Sequence, residues 1–138
     1  MTAANSAHLV TAALLVIGDE ILSGRTKDKN IGYVAEYLTA LGIDLKEVRV
    51  VGDEESEIVT ALNALRARHT YVFTTGGIGP THDDITAESV AKAFGVSIDH
   101  DPRAVKILSD RLAQTGGEMN EARMRMTRIP AGAADTLL

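Results

Sequence analysis

The chain of 138 residues has no cysteine and no tryptophan, three prolines, and only 4% aromatic residues. Without cysteine, disulfides and thiol catalysis are excluded, a composition compatible with the cytoplasm, where we expect the protein to reside. With so few aromatic rings the core has to be built from Val, Ile, Leu, Ala and Met. There is also little material for the stacking platforms that hold single-stranded nucleic acid. The net charge is −5 and no basic stripe stands out, so nucleic acid is not an expected partner. The longest apolar run, Ala12 to Gly18, is far too short to span a bilayer. The small polar start, Met1 to His8, has no charged n-region and reads as a disordered leader rather than a signal peptide. Residues 9–138 are then expected to form a single domain, since the length suits one core and is short for two.

What is present is a stretch running Tyr71-Val72-Phe73-Thr74-Thr75-Gly76-Gly77-Ile78-Gly79-Pro80-Thr81-His82-Asp83-Asp84-Ile85-Thr86. A short run of β-formers breaks into glycines, and a helix start follows at Thr86. Strand, glycine loop and helix N-terminus together make an anion site, because bare N–H groups face the ligand and the helix dipole favours negative charge. Lacking a Cβ, Gly76, Gly77 and Gly79 permit left-handed backbone and close approach. No Lys-Ser/Thr pair follows the loop, so it is not a Walker motif. It follows the third strand with the wrong spacing for a dinucleotide fingerprint.

The remaining pattern alternates. Leu9 to Ile17 reads as a strand buried on both faces, and helical spacing runs from about Asp28 to Leu41 with Gly42 as its stop. Ile43 to Val51 reads as a strand with one irregularity, Glu55 to Arg68 as a helix, and Ala87 to Phe94 as a short helix with Val90, Ala91 and Phe94 inward. Asp101-Pro102 opens another helix, and Asn120 to about Thr127 a last one, with Ala122 and Met126 on one side. The segment from Ile21 to Lys27 reads as a loop. Strands alternating with helices predict an α/β fold with a mostly parallel sheet and helices on both faces.

Ligands of such sheets sit outside the carboxyl ends of the strands. The first two strands end in Gly18-Asp19-Glu20 and Gly52-Asp53-Glu54, and the third in the glycine loop with Asp83 and Asp84. All these carboxylates fall on one predicted edge, and hard oxygen ligands suit Mg²⁺, which takes one or two carboxylates and completes its shell with water and phosphate. A plain Gly-Asp turn is the ordinary reading of any one such ending; the repetition is what points to a site. Between the adjacent pair, Asp83 reads as a helix cap and Asp84 as the ligand-facing group. His82 reads as a solvated loop residue. Arg25, Lys27 and Lys29 are candidates to reach a phosphate, although a solvated loop is the simpler reading. Arg123, Arg125 and Arg128 read as a solvated face or an interface edge. With four histidines and no paired spacing, zinc is not expected.

The stretch from Thr74 to Thr86 closely resembles the molybdopterin-binding domain family, which includes MoaB/Mog proteins and the N-terminal domain of CinA (competence/damage-inducible) proteins. Thr81-His82-Asp83-Asp84, the opening Gly18-Asp19-Glu20-Ile21-Leu22-Ser23-Gly24 with Asp28 and Asn30, and Val50-Val51-Gly52-Asp53-Glu54 resemble the CinA branch. The resemblance implies a three-layer α/β/α domain over roughly Leu14 to Pro130. It implies catalytic and metal-binding roles for Asp53 and Asp84 with Mg²⁺ as cofactor. Thr75, Gly76, Gly77, Gly79 and Thr86 would bind phosphate, and Asp19, Glu20, Asn30, His82 and Asp83 are lesser candidates. MoaB/Mog proteins adenylate molybdopterin with ATP, whereas CinA-type domains and the related domain of FAD synthases are associated with cleavage of dinucleotide pyrophosphates such as ADP-ribose. Asp83 fits the CinA pattern. Three functions follow as expectations: a Mg²⁺-dependent nucleotide pyrophosphatase, a molybdopterin adenylyltransferase, or a non-catalytic module binding a nucleotide or pterin phosphate. The family also implies a homo-oligomer. After the segment matching Arg128-Ile129-Pro130, CinA-type domains carry a further strand and a second glycine- and proline-rich loop, so the chain is expected to be C-terminally truncated relative to them.

Overall fold

The computed structural model describes residues 9–134; the expected leader, residues 1–8, lies outside the described residues. In chain order the elements are β1 (Thr11–Ile17), α1 (Asp19–Leu22), α2 (Asn30–Ala40), β2 (Asp44–Val51), α3 (Glu55–Arg66), β3 (Tyr71–Thr75), α4 (Thr86–Phe94), β4 (Ile98–His100), α5 (Pro102–Thr115), α6 (Glu121–Arg125) and β5 (Arg128–Pro130).

β1 is the middle strand of a parallel sheet ordered β2-β1-β3. Ala12 to Ile17 are all buried, as an uninterrupted apolar strand with a neighbour on each side requires. Ala13, Leu15 and Ile17 face α3, where Ile58, Ala61, Leu62 and Leu65 complete the core; Val90 and Ala93 of α4 pack on its edge. The alternate residues Ala12, Leu14 and Val16 face the other way, in register with Tyr71, Phe73 and Thr75 of β3, on the side where α2 buries Leu38. The domain is therefore a three-layer α/β/α sandwich. Fully burying one Leu or Ile contributes about 1.5–3 kcal/mol, so this double-sided strand is the main source of stability.

The irregularity expected in β2 is a register shift: Ala12 pairs with Leu45 and Ala13 with Glu47, so Lys46 is left over. Beyond the shift, Glu47 accepts from the buried His69 ring (3.0 Å) and from Arg49 (3.0 Å), while the other His69 nitrogen meets the Thr11 hydroxyl (3.2 Å). These bonds tie the three strands at the end of the sheet opposite the candidate site. They also hold the Glu47 carboxyl below its ordinary value, with His69 the largest cause and Arg49 next.

Helix ends follow the sequence. Gly42 and Gly95 adopt left-handed backbone after α2 and α4 (φ 77° and 66°). Asp101 caps α5 by accepting from the Arg103 amide at 2.8 Å, with Pro102 at the first helical position. Arg103 also chelates that carboxylate, and these bonds lower its pKa to about 2. A folded-state value below the unfolded one stabilises the fold above about pH 4 and is lost as the pH falls toward 2. In a carboxyl NMR titration Asp101 should therefore titrate near 2, and Arg103→Gln should move it upward; an ordinary value in the parent chain would contradict the cap.

Several expectations are corrected. The segment after β1 is not all loop: Asp19–Leu22 forms a helical turn, closed by the Ser23 amide donating to the Asp19 carbonyl at 2.9 Å. Ile98–His100 and Arg128–Pro130, not foreseen as a pair, form a second, antiparallel two-stranded sheet. Phe94 is not inward: it is 51% exposed, with the Arg66 guanidinium 4.2 Å over its ring. Ala122 and Met126, expected on one side of the last helix, are both exposed. No helix among the described residues is long and apolar enough to cross a membrane.

Candidate phosphate and metal site

The carboxyl ends of β1, β2 and β3 lie side by side. At the first two, Asp19 and Asp53 exchange amide-to-carboxylate hydrogen bonds. The Asp19 amide donates to Asp53 Oδ2 and the Asp53 amide to Asp19 Oδ1, both at 3.1 Å. Gly52 makes this possible, since a Cβ there would collide with Asp19 Oδ1. Each carboxylate keeps one oxygen outside this exchange.

β3 runs into the glycine loop, residues 76–85. Gly76 (φ 91°) and Gly77 (φ 67°) take left-handed backbone. A Cβ on Gly76 would collide with the Ile17 carbonyl, one on Gly77 with the Thr86 hydroxyl, and one on Gly79 would sit 2.7 Å from Asp84 Oδ2. The glycines thus let the loop fold tightly onto its own polar groups. Thr86, only 3% exposed, donates its hydroxyl to the Gly76 carbonyl (2.8 Å) and its amide to the Gly77 carbonyl (3.1 Å). Expected among the phosphate ligands, Thr86 instead has its proton committed to bracing the loop.

Asp84 closes the other half. Its Oδ2 accepts from the Thr81 amide (2.9 Å) and hydroxyl (2.8 Å). Partial burial pushes the Asp84 carboxyl up, but the hydrogen bonds from Thr81 and Gly79 and the charge of Arg125 outweigh it and hold it below the ordinary carboxylate value. Asp84 is ionised at neutral pH. Asp83 does not cap α4, which has no side-chain cap; it is exposed beside an equally exposed His82, 3.5 Å away. Glu20 folds its carboxylate back against Gly18, and Asn30 is an exposed first residue of α2.

Three donors in or next to the loop take no partner among the described residues. The Gly77 and Ile78 amides take no acceptor among the described residues. The Thr75 hydroxyl, at the end of β3, is buried without a partner. A buried orphan donor is costly unless something completes it, about 1–3 kcal/mol. As for a metal, no three or more His, Cys, Asp or Glu converge among the described residues. The expected edge carboxylates do lie along one edge, with Asp19 and Asp53 in contact, but no three of them meet at one point. That still fits Mg²⁺, which needs only one or two carboxylates when phosphate and water supply the rest.

Residues 13–136 match the family described as "Probable molybdopterin binding domain". The chain belongs to this family. It spans about half the length of the curated relatives it matches: a protein of Sulfurisphaera tokodaii is 38% identical over 88% of this chain and 47% of its own length. A protein named as a probable FAD synthase, from Caenorhabditis briggsae, is 49% identical over 61% of this chain and 16% of its own length. The crystal structure of CinA from Thermoplasma acidophilum, described as of unknown function, matches with a TM-score of 0.81 at 31% identity, over 89% of this chain and 72% of that one. Solved MoaB and Mog proteins share the fold at 20–24% identity. The molybdopterin-binding-type domain described here is thus MoaB/Mog-like and related to CinA.

Two features of the site escaped sequence reasoning. The first is the reciprocal Asp19–Asp53 bonding, which depends on adjacent strand ends. The second is Arg125, which donates to Glu88 (3.1 Å) and reaches the Asp84 carbonyl (3.5 Å) from α6. The sequence signal for it was only an arginine-rich segment.

Proposed function

We propose that this domain binds the phosphate of a nucleotide or pterin at the β3 loop, together with Mg²⁺, and that it cleaves a nucleotide pyrophosphate of the ADP-ribose type. The observation that carries the reading is the grouping of open Gly77 and Ile78 amides, an orphaned Thr75 hydroxyl and an ionised Asp84 around one loop. The amides and hydroxyl would bind phosphate oxygens, with the backbone of Gly76 and Gly79 shaping the cradle. Asp53 and Asp84 would hold Mg²⁺ through the oxygens left outside their internal bonds. Bound there, the metal neutralises charge on the pyrophosphate. Asp84, or a second edge carboxylate such as Asp19, orients a water and takes its proton; the water oxygen bonds to phosphorus as the bridging P–O bond breaks, giving AMP and ribose 5-phosphate.

The likeness to a protein named as a probable FAD synthase supports nucleotide phosphate chemistry. The family description favours a pterin as the second candidate ligand. Incubating the protein with ADP-ribose and Mg²⁺, then following AMP by chromatography, tests the reaction. AMP should appear only with the metal. Metal-independent release would remove Mg²⁺ from the reaction, and no release alongside tight ADP-ribose binding would leave a binding module in place of a hydrolase. Self-association is part of the same proposal, and light scattering should show a mass above that of one chain.

A further inference from the structure

The carboxyl edge of the sheet carries Asp19, Glu20, Asp53, Glu54, Asp83 and Asp84, a field that repels phosphate unless cations are supplied close by. The lysines and arginine following α1, Arg25, Lys27 and Lys29, are all exposed, and no described hydrogen bond joins them to the loop. The guanidinium that does reach the loop is Arg125. One terminal nitrogen lies 3.1 Å from Glu88 Oε1 and 3.5 Å from the Asp84 carbonyl oxygen. Arg128, from β5, donates to the same Glu88 oxygen. Glu88 stands in the first turn of α4, directly after the loop. One carboxylate shared by two guanidiniums leaves positive charge on the loop side of Glu88, where the Asp84 carboxylate is the other anion that Arg125 acts on. The side chains of Arg125, Arg128 and Glu88 are 30%, 22% and 29% exposed, so that charge is less screened than one in open water. Arg125 also has an unmet donor: its Nε is buried without a partner. Thr75 Oγ1 and Arg125 Nε are the two such orphans among the described residues.

We propose that Arg125 is the cation that receives a phosphoryl oxygen of the ligand at the glycine loop, with Glu88 and Arg128 holding it ready. This rests on the phosphate-site reading above. In the free protein Arg125 is parked on Glu88. When phosphate arrives, Arg128 alone satisfies Glu88, and Arg125 turns its planar fork to the ligand, the geometry that suits phosphate oxygens. The α6–β5 segment thereby becomes part of the binding site rather than a solvated face.

The test is calorimetric titration of the full chain and its variants with ADP-ribose, with adenosine as the phosphate-free control and thermal melts to check folding. Arg125→Gln should weaken ADP-ribose binding by roughly 10- to 100-fold, and Arg125→Lys, which keeps the charge but not the fork, by less. Glu88→Gln is the decisive variant. It keeps an acceptor for the arginines but removes the competing charge, so binding should tighten by about two- to fivefold even as the melting temperature falls. A merely structural clamp predicts the opposite sign, since loosening it would disorder the loop and weaken binding. Weaker binding by Glu88→Gln, or parent-like binding by Arg125→Gln, would overturn the assignment while the phosphate site stood. No ADP-ribose binding by the parent chain would overturn both. Should Arg125→Gln fail to fold, the sign of the Glu88→Gln effect decides.

Discussion

Asp84→Asn should lower Mg²⁺-dependent turnover of ADP-ribose by about 100-fold or more, the loss typical when a positioned acid–base group or metal ligand goes, with little change in the fold. The Asp84 side chain has two jobs. Through Oδ2, Asp84 braces the loop by accepting from the Thr81 amide and hydroxyl. An asparagine carbonyl can accept the same bonds, so the brace survives, weakened because charge-assisted bonds are roughly twice as strong as neutral ones. What disappears is the negative charge that the proposed site needs for the metal. Asp84→Ala removes both jobs, leaves the Thr81 and Gly79 donors without their acceptor, and should also lower the melting temperature. Stability and turnover measured side by side on the two variants distinguish brace from chemistry. If asparagine retains near-parent turnover, Asp84 is a structural residue only and the metal pair needs another member.

Gly76→Ala should destabilise the domain by about 3 kcal/mol, from left-handed backbone strain of about 1–2 kcal/mol and an overlap of similar size. The overlap is with the Ile17 carbonyl at the end of β1. That carbonyl belongs to the most buried strand, flanked on both sides, and cannot move aside without disturbing the sheet. Gly77→Ala meets a side chain instead, the Thr86 hydroxyl. That group can rotate away, though only by releasing the Gly76 carbonyl it holds. The order of damage, Gly76 above Gly77, can be read from chemical denaturation midpoints. Equal tolerance at both positions would contradict the described loop conformation.

The parallel sheet was legible because each part of it has a local signature. β1 reads as an unbroken apolar run, α3 shows Ile58, Leu62 and Leu65 at helical spacing, and Asp101-Pro102 is a cap written in two residues. Even the β2 shift is visible, because alternation breaks where Lys46 is left over. The β4–β5 pair was not legible. Each strand has three residues, too few for a period, and their partnership joins Ile98 to Pro130 across α5 and α6. The glycine loop was identifiable and Asp84 was singled out over Asp83, but the bond that Asp84 makes within the loop was not visible. Asp83 and Asp84 have the same chemistry, and only the fold of residues 79–84 decides that Asp84 meets Thr81 while Asp83 stays in water. The same limit hid Arg125. Its partner Glu88 lies 37 positions earlier, and a lone arginine in a charged segment carries no mark of that contact.

The proposed phosphate sits on the loop between β3 and α4. Amide NMR shifts followed during titration with ADP-ribose and Mg²⁺ test that placement most directly. The largest changes should fall on the Gly77 and Ile78 amides and on Thr75, and they should diminish when Mg²⁺ is withheld. Changes centred instead on the apolar groove of Tyr33, Tyr37, Tyr71 and Phe73 between α2 and β3, with the loop amides unmoved, would contradict it.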